Sequence, residues 1–175
     1  MECKEVIPVI SIDKVIRSID SIECLKSLGY SKLSIIQVKA YNNIKAGRSV
    51  IIIAPTGTGK TEAAIFPVMD IIRNKNIKPI AALYITPLRA LNRDIEERLK
   101  KIGTCFGIDV VVRHGDTPWS RRRKIKKSPP RVLITTPETL QYLIVDQTYM
   151  DYFKNLRFVI IDEYREIVTS KRGIE

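Results

Sequence analysis

One stretch, Ala54-Pro55-Thr56-Gly57-Thr58-Gly59-Lys60-Thr61, constrains this chain more than any other. The apolar run Ser49 to Ile53 precedes it and Glu62-Ala63-Ala64-Ile65-Phe66 follows it, so the order predicted is strand, tight loop, helix. Glycines let the backbone curl until successive N–H groups point inward, and the helix start adds roughly half a positive charge at the same place. Phosphate is the ligand that such a cradle fits. Thr56, Gly57, Thr58, Gly59, Lys60 and Thr61 are the nucleotide-binding residues expected. Lys60 reaches the β and γ phosphates, and Thr61 offers a hydroxyl to Mg²⁺, an ion that borrows few protein ligands. Ala54 stands where the general pattern has glycine, and it is small enough to fit.

At 175 residues the chain has the length of about one domain, able to bury some two-thirds of its unfolded surface. Thirty Lys and Arg against 19 acidic residues give a formal charge of +11, which suggests a polyanionic partner such as nucleic acid. No apolar run approaches the roughly 18 residues of a membrane span, and Val6 to Ile12 lacks a signal peptide's cleavage region. A cytoplasmic protein without a membrane partner is the expectation. Cys3, Cys24 and Cys105 are widely spaced and lack metal-ligand spacing, so unpaired thiols are expected.

Helical and apolar patterns alternate along the chain. Ser11 is placed to cap a helix with Ile12, Val15, Ile16, Ile19, Ile22 and Leu25 on one side, ended by Gly29. A second helix is expected from about Ser34 to Ala46, before Gly47. Beyond the loop helix, Ile80 to Ile85, Ile108 to Val112, Val132 to Ile134 and Phe158 to Ile161 are continuous apolar strands, with a helix from Leu88 to Leu99 after the first. Such strands are buried on both faces, which argues a parallel sheet in an α/β fold, with helices on both faces and right-handed crossovers.

The last of these strands ends in Asp162-Glu163 at the carboxyl edge, where open α/β sheets bind ligands. The pair reads as a Walker B motif. Asp162 holds Mg²⁺ through its water shell, and Glu163 orients or deprotonates the water that attacks the γ phosphate. Lys60 and Glu163 are thus the candidate catalytic residues, and Thr61 and Asp162 the candidate metal residues.

In this order the motifs resemble the first RecA-like domain of a DExH-box superfamily 2 helicase, a P-loop NTPase, nearest the archaeal large helicase-related branch. Gln37, within Leu33-Ser34-Ile35-Ile36-Gln37, stands where such helicases place an adenine-reading glutamine. Thr86-Pro87-Leu88-Arg89-Ala90-Leu91 resembles motif Ia and Thr135-Thr136-Pro137-Glu138-Thr139-Leu140 motif Ib, while Arg113-His114-Gly115-Asp116-Thr117 and Ser170-Lys171-Arg172-Gly173 resemble the same branch. The resemblance implies ATP and Mg²⁺ as cofactors. It also implies a single-stranded nucleic acid as partner, DNA favoured over RNA, touched by Thr86, Pro87, Arg89, Arg113, His114, Thr136, Pro137 and Thr139. A Thr-Pro step at a strand's end has its own logic: the threonine caps a helix whose free N–H groups can hold a phosphate. The basic run Arg121-Arg122-Arg123-Lys124, with Lys126 and Lys127, follows Trp119 and reads first as a solvated helix face, second as a nucleic-acid patch.

The implied organisation is N-terminal helices with the glutamine segment over 1–47 and a partial RecA-like domain over 48–175. Asp162-Glu163-Tyr164-Arg165 departs from the family's Asp-Glu-x-His, changing the residue that links hydrolysis to strand movement. The chain is expected to stop after the Walker B strand, short of the second RecA-like domain, which is then a partner in cis or in trans. Losing that domain's arginine finger, worth about 10³ to 10⁵ in turnover, makes isolated hydrolysis very weak. The phosphate-loop and Walker B strands are expected to pair directly or to leave a gap exposing apolar surface. The alternative function is a non-catalytic module binding nucleic acid or a partner protein, derived from a helicase. A small-molecule P-loop kinase is disfavoured because the two Thr-Pro motifs have no role there.

Overall fold

The computed structural model describes residues 9–88, 91 and 93–169. They form two compact units, one ending at Asn74 and one beginning at Lys75.

In the first unit β1 (Val9–Ser11) pairs antiparallel with β2 (Lys32–Ser34), Ile10 opposite Leu33. Between them lie a 3-10 turn (Ile12–Lys14) and α1 (Ile19–Ser27). The continuous helix expected from Ser11 is therefore broken. Ser11 makes no cap bond, whereas the Ser18 side chain accepts from the Ser21 N–H and sets the start. Ile12, Ile16 and Leu25 are buried on either side of the break, but Ile19, expected on the same side, is 70% exposed at the start of α1, because the restarted helix no longer keeps the phase of the first turn. α2 (Ile35–Lys45) begins after Ser34 and is closed by Ala46, as its sequence indicates. α3 (Lys60–Lys75) buries Ile65, Phe66, Met69 and Ile72, and carries Pro67 within it.

Two carboxylates of α3, Glu62 and Asp70, are buried in this packing, and Asp70 ties the helices together. Asp70 on α3 accepts hydrogen bonds from Ser21 Oγ of α1 at 2.6 Å and Tyr41 OH of α2 at 2.6 Å, and from Asn74 Nδ2 at 2.9 Å. Lys45 Nζ lies 3.8 Å away. Burial, followed by the hydrogen bond to Asp70 and its charge, holds the Tyr41 hydroxyl well above the ordinary tyrosine range, so it stays a donor.

The segment 49–53 does not form the expected strand. It pairs with no strand among the described residues, and Ile51 and Ile53 are 91% and 85% exposed. A strand exists only through the partners of its N–H and C=O groups, so an apolar run without a ladder stays irregular.

The second unit runs β3 (Ala82–Ile85), α4 (Arg93–Cys105), β4 (Val110–Arg113), α5 (Trp119–Lys127), β5 (Val132–Thr135), α6 (Pro137–Val145), α7 (Gln147–Phe153), β6 (Phe158–Ile161) and α8 (Tyr164–Thr169). The strands form one parallel sheet in the order β4-β5-β3-β6. All four apolar runs are strands, as expected. The helix expected from Leu88 begins at Arg93 among the described residues.

Strand alternation sends Leu83, Ile85 and Leu133 to one face, where they cluster with Ile125 of α5, Leu143 of α6 and Tyr149 of α7. α4 covers the opposite face at Val110: a Cβ on Gly103 would lie 2.3 Å from Val110 Cγ2, so only glycine permits this approach. β6 pairs with β3 alone among the described residues, and its Val159 and Ile161 are about half exposed. Cys24 and Cys105 are each disulfide-bonded, which corrects the expectation of unpaired thiols. Among the described residues no helix is long and apolar enough to cross a membrane.

Asp70→Ala would strand the buried hydroxyls of Ser21 and Tyr41. We expect a loss of about 3 kcal/mol, read as a lower urea midpoint. A change under about 0.5 kcal/mol would mean that the carboxylate is not the tie between these helices.

Candidate nucleotide and nucleic-acid site

The phosphate loop belongs to the first unit. Gly57 and Gly59 sit at φ +82° and +83°, where a side chain is strained, and they curl the backbone ahead of α3. Lys60 Nζ donates to the carbonyls of Ala54 at 2.8 Å and Pro55 at 3.3 Å, and Thr58 Oγ1 donates to Pro55 O at 2.8 Å. The loop is thus closed on itself through its own lysine. Thr61 follows in the first turn of α3, half-buried. Thr56 is exposed on the loop.

Gln37 is built into this loop from the preceding helix, α2. It is the third residue of α2, and its Oε1 accepts the Ser34 N–H at 2.9 Å while Ser34 Oγ accepts the Gln37 N–H, a reciprocal capping box. Its Nε2 donates to Gly59 O at 3.4 Å. A Cβ on Gly59 would meet that Nε2 at 2.3 Å, and the φ of +83° there already strains any residue but glycine. Tyr30, another residue near the loop helix, gives its hydroxyl to Glu62 Oε1 at 3.1 Å and sets its ring edge-on to Phe66, a packed position.

The carboxyl edge of the sheet belongs to the second unit. Parallel register aligns Arg113 with Thr135, and Ile85 with Thr135 and Ile161, so the residues after each strand share the carboxyl edge. Asp162 emerges there. Tyr84 OH donates to its Oδ2 at 2.5 Å and the Glu163 N–H to its Oδ1 at 3.0 Å. Glu163 is exposed and takes φ +49°, a left-handed conformation uncommon outside glycine, and its carbonyl accepts the Glu166 N–H at 2.9 Å as α8 begins. Arg165 is exposed on α8.

Motif Ia begins with Thr86, buried and joined by its N–H to Thr135 O at 3.1 Å; its hydroxyl has no partner among the described residues. Pro87 follows, and its carbonyl accepts the Leu91 N–H at 3.0 Å. Arg89 lies outside the described residues, as does the run Ser170-Lys171-Arg172-Gly173. Motif Ib is a complete helix start: Thr136 caps α6 by accepting from the Thr139 N–H, and Pro137 is its first residue. The hydroxyls of Thr136 and Thr139, expected to face a strand, are buried and bonded to each other at 3.2 Å. Arg113 lies over the Tyr149 ring at 4.9 Å, with Nε and Nη1 buried and unpartnered among the described residues. His114 starts a turn, giving its N–H to Thr117 Oγ1 at 2.9 Å and accepting the Asp116 N–H on Nδ1 at 3.2 Å.

The family pattern of DEAD/DEAH box helicases matches residues 34–175. This chain belongs to that family. It is 37% identical over 143 residues to the ATP-dependent helicase Lhr-Core of Sulfolobus acidocaldarius, covering 74% of this chain and 16% of that protein. It is 36% identical over 152 residues to the Lhr helicase/probable uracil glycosylase of Mycolicibacterium smegmatis, covering 78% of this chain and 10% of that protein. The solved structure of Mycobacterium smegmatis helicase Lhr bound to ssDNA and AMP-PNP superposes with a TM-score of 0.78 at 33% identity, over 89% of this chain and 21% of that one. The chain therefore spans only a small part of the relatives that it matches. The fold is the mixed α/β, RecA-like one expected, and the resemblance to Lhr holds; its relatives include bacterial as well as archaeal proteins.

Two participants were not singled out in the sequence. Tyr84 is two residues before the Thr-Pro step, and the pairing of β3 with β6 puts it on the same face of the sheet as Asp162, a register that the sequence alone does not give. Tyr149 follows no motif, because its place over Arg113 depends on how α7 packs.

Gln37→Glu separates the two duties of this side chain. The variant keeps an oxygen for the Ser34 N–H, so the melting temperature should stay within about 3 °C of the parent, whereas Gln37→Ala should lose about 1 kcal/mol with the cap. Equal thermal losses in both would show that the amide bond to Gly59, and not the cap, carries the stability.

Proposed function

We propose that this chain is the nucleotide-binding and single-strand-binding portion of the first motor domain of an ATP-dependent helicase. The observation that carries this reading is the phosphate loop itself: paired left-handed glycines, a lysine already turned inward, and a helix beginning at that lysine. An anion that brings acceptors of its own can replace the Ala54 and Pro55 carbonyls on Lys60 Nζ. The donor set fits a nucleoside triphosphate. Thr61 and Asp162 offer oxygen ligands suited to Mg²⁺, which when bound screens the charge of the terminal phosphates. Gln37, with its amide at the loop, is the adenine-facing residue of this reading. Glu163, exposed beside Asp162, orients water and accepts its proton. Thr86, Pro87, Arg89, Arg113, His114, Thr136, Pro137 and Thr139 form the strand-facing edge. With Thr136 and Thr139 spent on the helix cap, the grip falls to backbone N–H groups and to Arg113, whichever nucleotide sequence is bound.

Support for nucleic acid as the partner comes from the charge of +11 and from the relative solved with ssDNA. Single-stranded DNA is the preferred ligand of this reading. Hydrolysis coupled to translocation then needs a second RecA-like domain, supplied in cis or in trans. A second reading, a helicase-derived binding module without turnover, is favoured by one observation: both Asp162 oxygens already have protein donors. Strand-stimulated ATP turnover, measured for this chain alone and mixed with a second motor half, distinguishes the two. Turnover only in the mixture fits the motor, and its absence in both fits the module.

Lys60→Ala should weaken ATP binding by about a hundredfold, since a buried charge-assisted bond contributes roughly 1.5–3 kcal/mol, with the melting curve unchanged. Titration calorimetry decides. Undiminished affinity in a folded variant would remove the phosphate-loop assignment.

A further inference from the structure

We propose that the outward side of α5 is a second contact surface for single-stranded nucleic acid, with Trp119 as its stacking platform. The helix carries six cations and no acidic residue, Trp-Ser-Arg-Arg-Arg-Lys-Ile-Lys-Lys. Its cations fall into two groups. Those nearer the body of the unit are committed: Arg121 lies 3.6 Å from Glu96, Lys126 donates to Asp146 at 2.6 Å, and Arg122 donates to the carbonyls of Thr117 and Gly115. The bond from Lys126 holds the Asp146 carboxyl below its ordinary range. Arg123, Lys124 and Lys127 are all exposed and have no acidic partner among the described residues.

Helical spacing puts Trp119, Ser120, Arg123, Lys124 and Lys127 on the side opposite Ile125, the helix's buried residue. Trp119 is 72% exposed, and the Arg123 guanidinium lies 5.5 Å from its ring centre. A large aromatic surface left in water among unpaired cations is costly in a chain of charge +11. A polyanion that carries flat rings relieves both costs: phosphates meet the cations, and a base stacks on the indole for roughly 1–3 kcal/mol. Membrane insertion suits this side poorly, because Trp119 is the lone apolar residue on it and the helix buries Ile125 inward. The surface is also continuous with the sheet edge. Arg122 ties α5 to the Gly115–Thr117 turn, which follows Arg113 and His114.

This inference rests on the strand-binding reading above, and one experiment separates the two failures. Trp119 is the chain's sole tryptophan, so its emission reports on α5 alone. An end-labelled oligodeoxythymidine of about 16 nucleotides is titrated into the chain, with binding followed by label anisotropy and by tryptophan emission. Binding should quench Trp119. Arg123→Gln, Lys124→Gln and Lys127→Gln combined should reduce the log–log salt slope of binding by about 2, at roughly 0.7 per phosphate contact. Anisotropy showing binding while either the emission or the slope stays unchanged overturns the α5 surface and leaves the sheet edge standing. No binding at all overturns both. A change of emission with anionic phospholipid vesicles but not with the strand assigns this side to a membrane surface and also overturns the proposal.

Discussion

Every candidate strand-facing residue of the second unit depends on one parallel hydrogen-bond register. With Val110, Val132, Ala82 and Phe158 abreast, Arg113, Thr135, Ile85 and Ile161 must end abreast too. Whatever follows each strand is delivered to a common edge: the His114 turn, the Thr136 cap, the buried Thr86 and the Asp162–Glu163 pair. A slip of one residue in any ladder would send an inward side chain to the other face and withdraw one of these groups. The register of β4, β5 and β3 is strongly specified because their apolar side chains are buried, against α5 to α7 on one face and against α4 at Val110 on the other. Packing here is therefore a condition of the chemistry.

The phosphate loop is held by a different principle. It has no ladder to rest on, since 49–53 pairs with nothing among the described residues, so its shape comes from α3, which follows it, and from the earlier helices that reach forward to it. α3 is anchored through Asp70 to α1 and α2, and α2 sends Gln37 to the Gly59 carbonyl. The same glutamine closes the cap of its own helix. Position 37 therefore links the cap of α2 to the backbone of the loop through one side chain.

Much of this was legible in the residues. The four sheet strands stand where continuous Val, Ile and Leu runs place them, and helix ends at Ser34 and Thr136 follow from short hydroxyl side chains before apolar periods. Periodicity records which side of an element is apolar, but not whether the backbone is continuous. Hence Ile12 and Ile16 looked helical with Leu25 although Ser18 restarts the helix. Nor does it record whether a partner edge exists, which is why Ser49 to Ile53 read as a strand. Thr136 and Thr139 were read as hydroxyls free to bind, yet their three-residue spacing also lets one cap the other, and burial decides for the cap. Tyr84 was hidden because a tyrosine in an apolar strand reads as packing until the carboxylate beyond it is placed.

Asp162 and Glu163 show how one local geometry serves two carboxylates differently. Tyr84 and the Glu163 N–H take one acceptor site on each Asp162 oxygen, fixing the rotamer while leaving further lone pairs on both. Glu163 gains its exposure from the backbone. Its φ of +49° costs about 1–2 kcal/mol for a residue with a Cβ, and the two bonds made by its own N–H and carbonyl, to Asp162 and to α8, offset that cost. A relaxed φ would break the turn that starts α8 and would redirect the carboxylate. The strain at Glu163 and the order at Asp162 are therefore one arrangement, in which the peptide between the two acids fixes the first and aims the second.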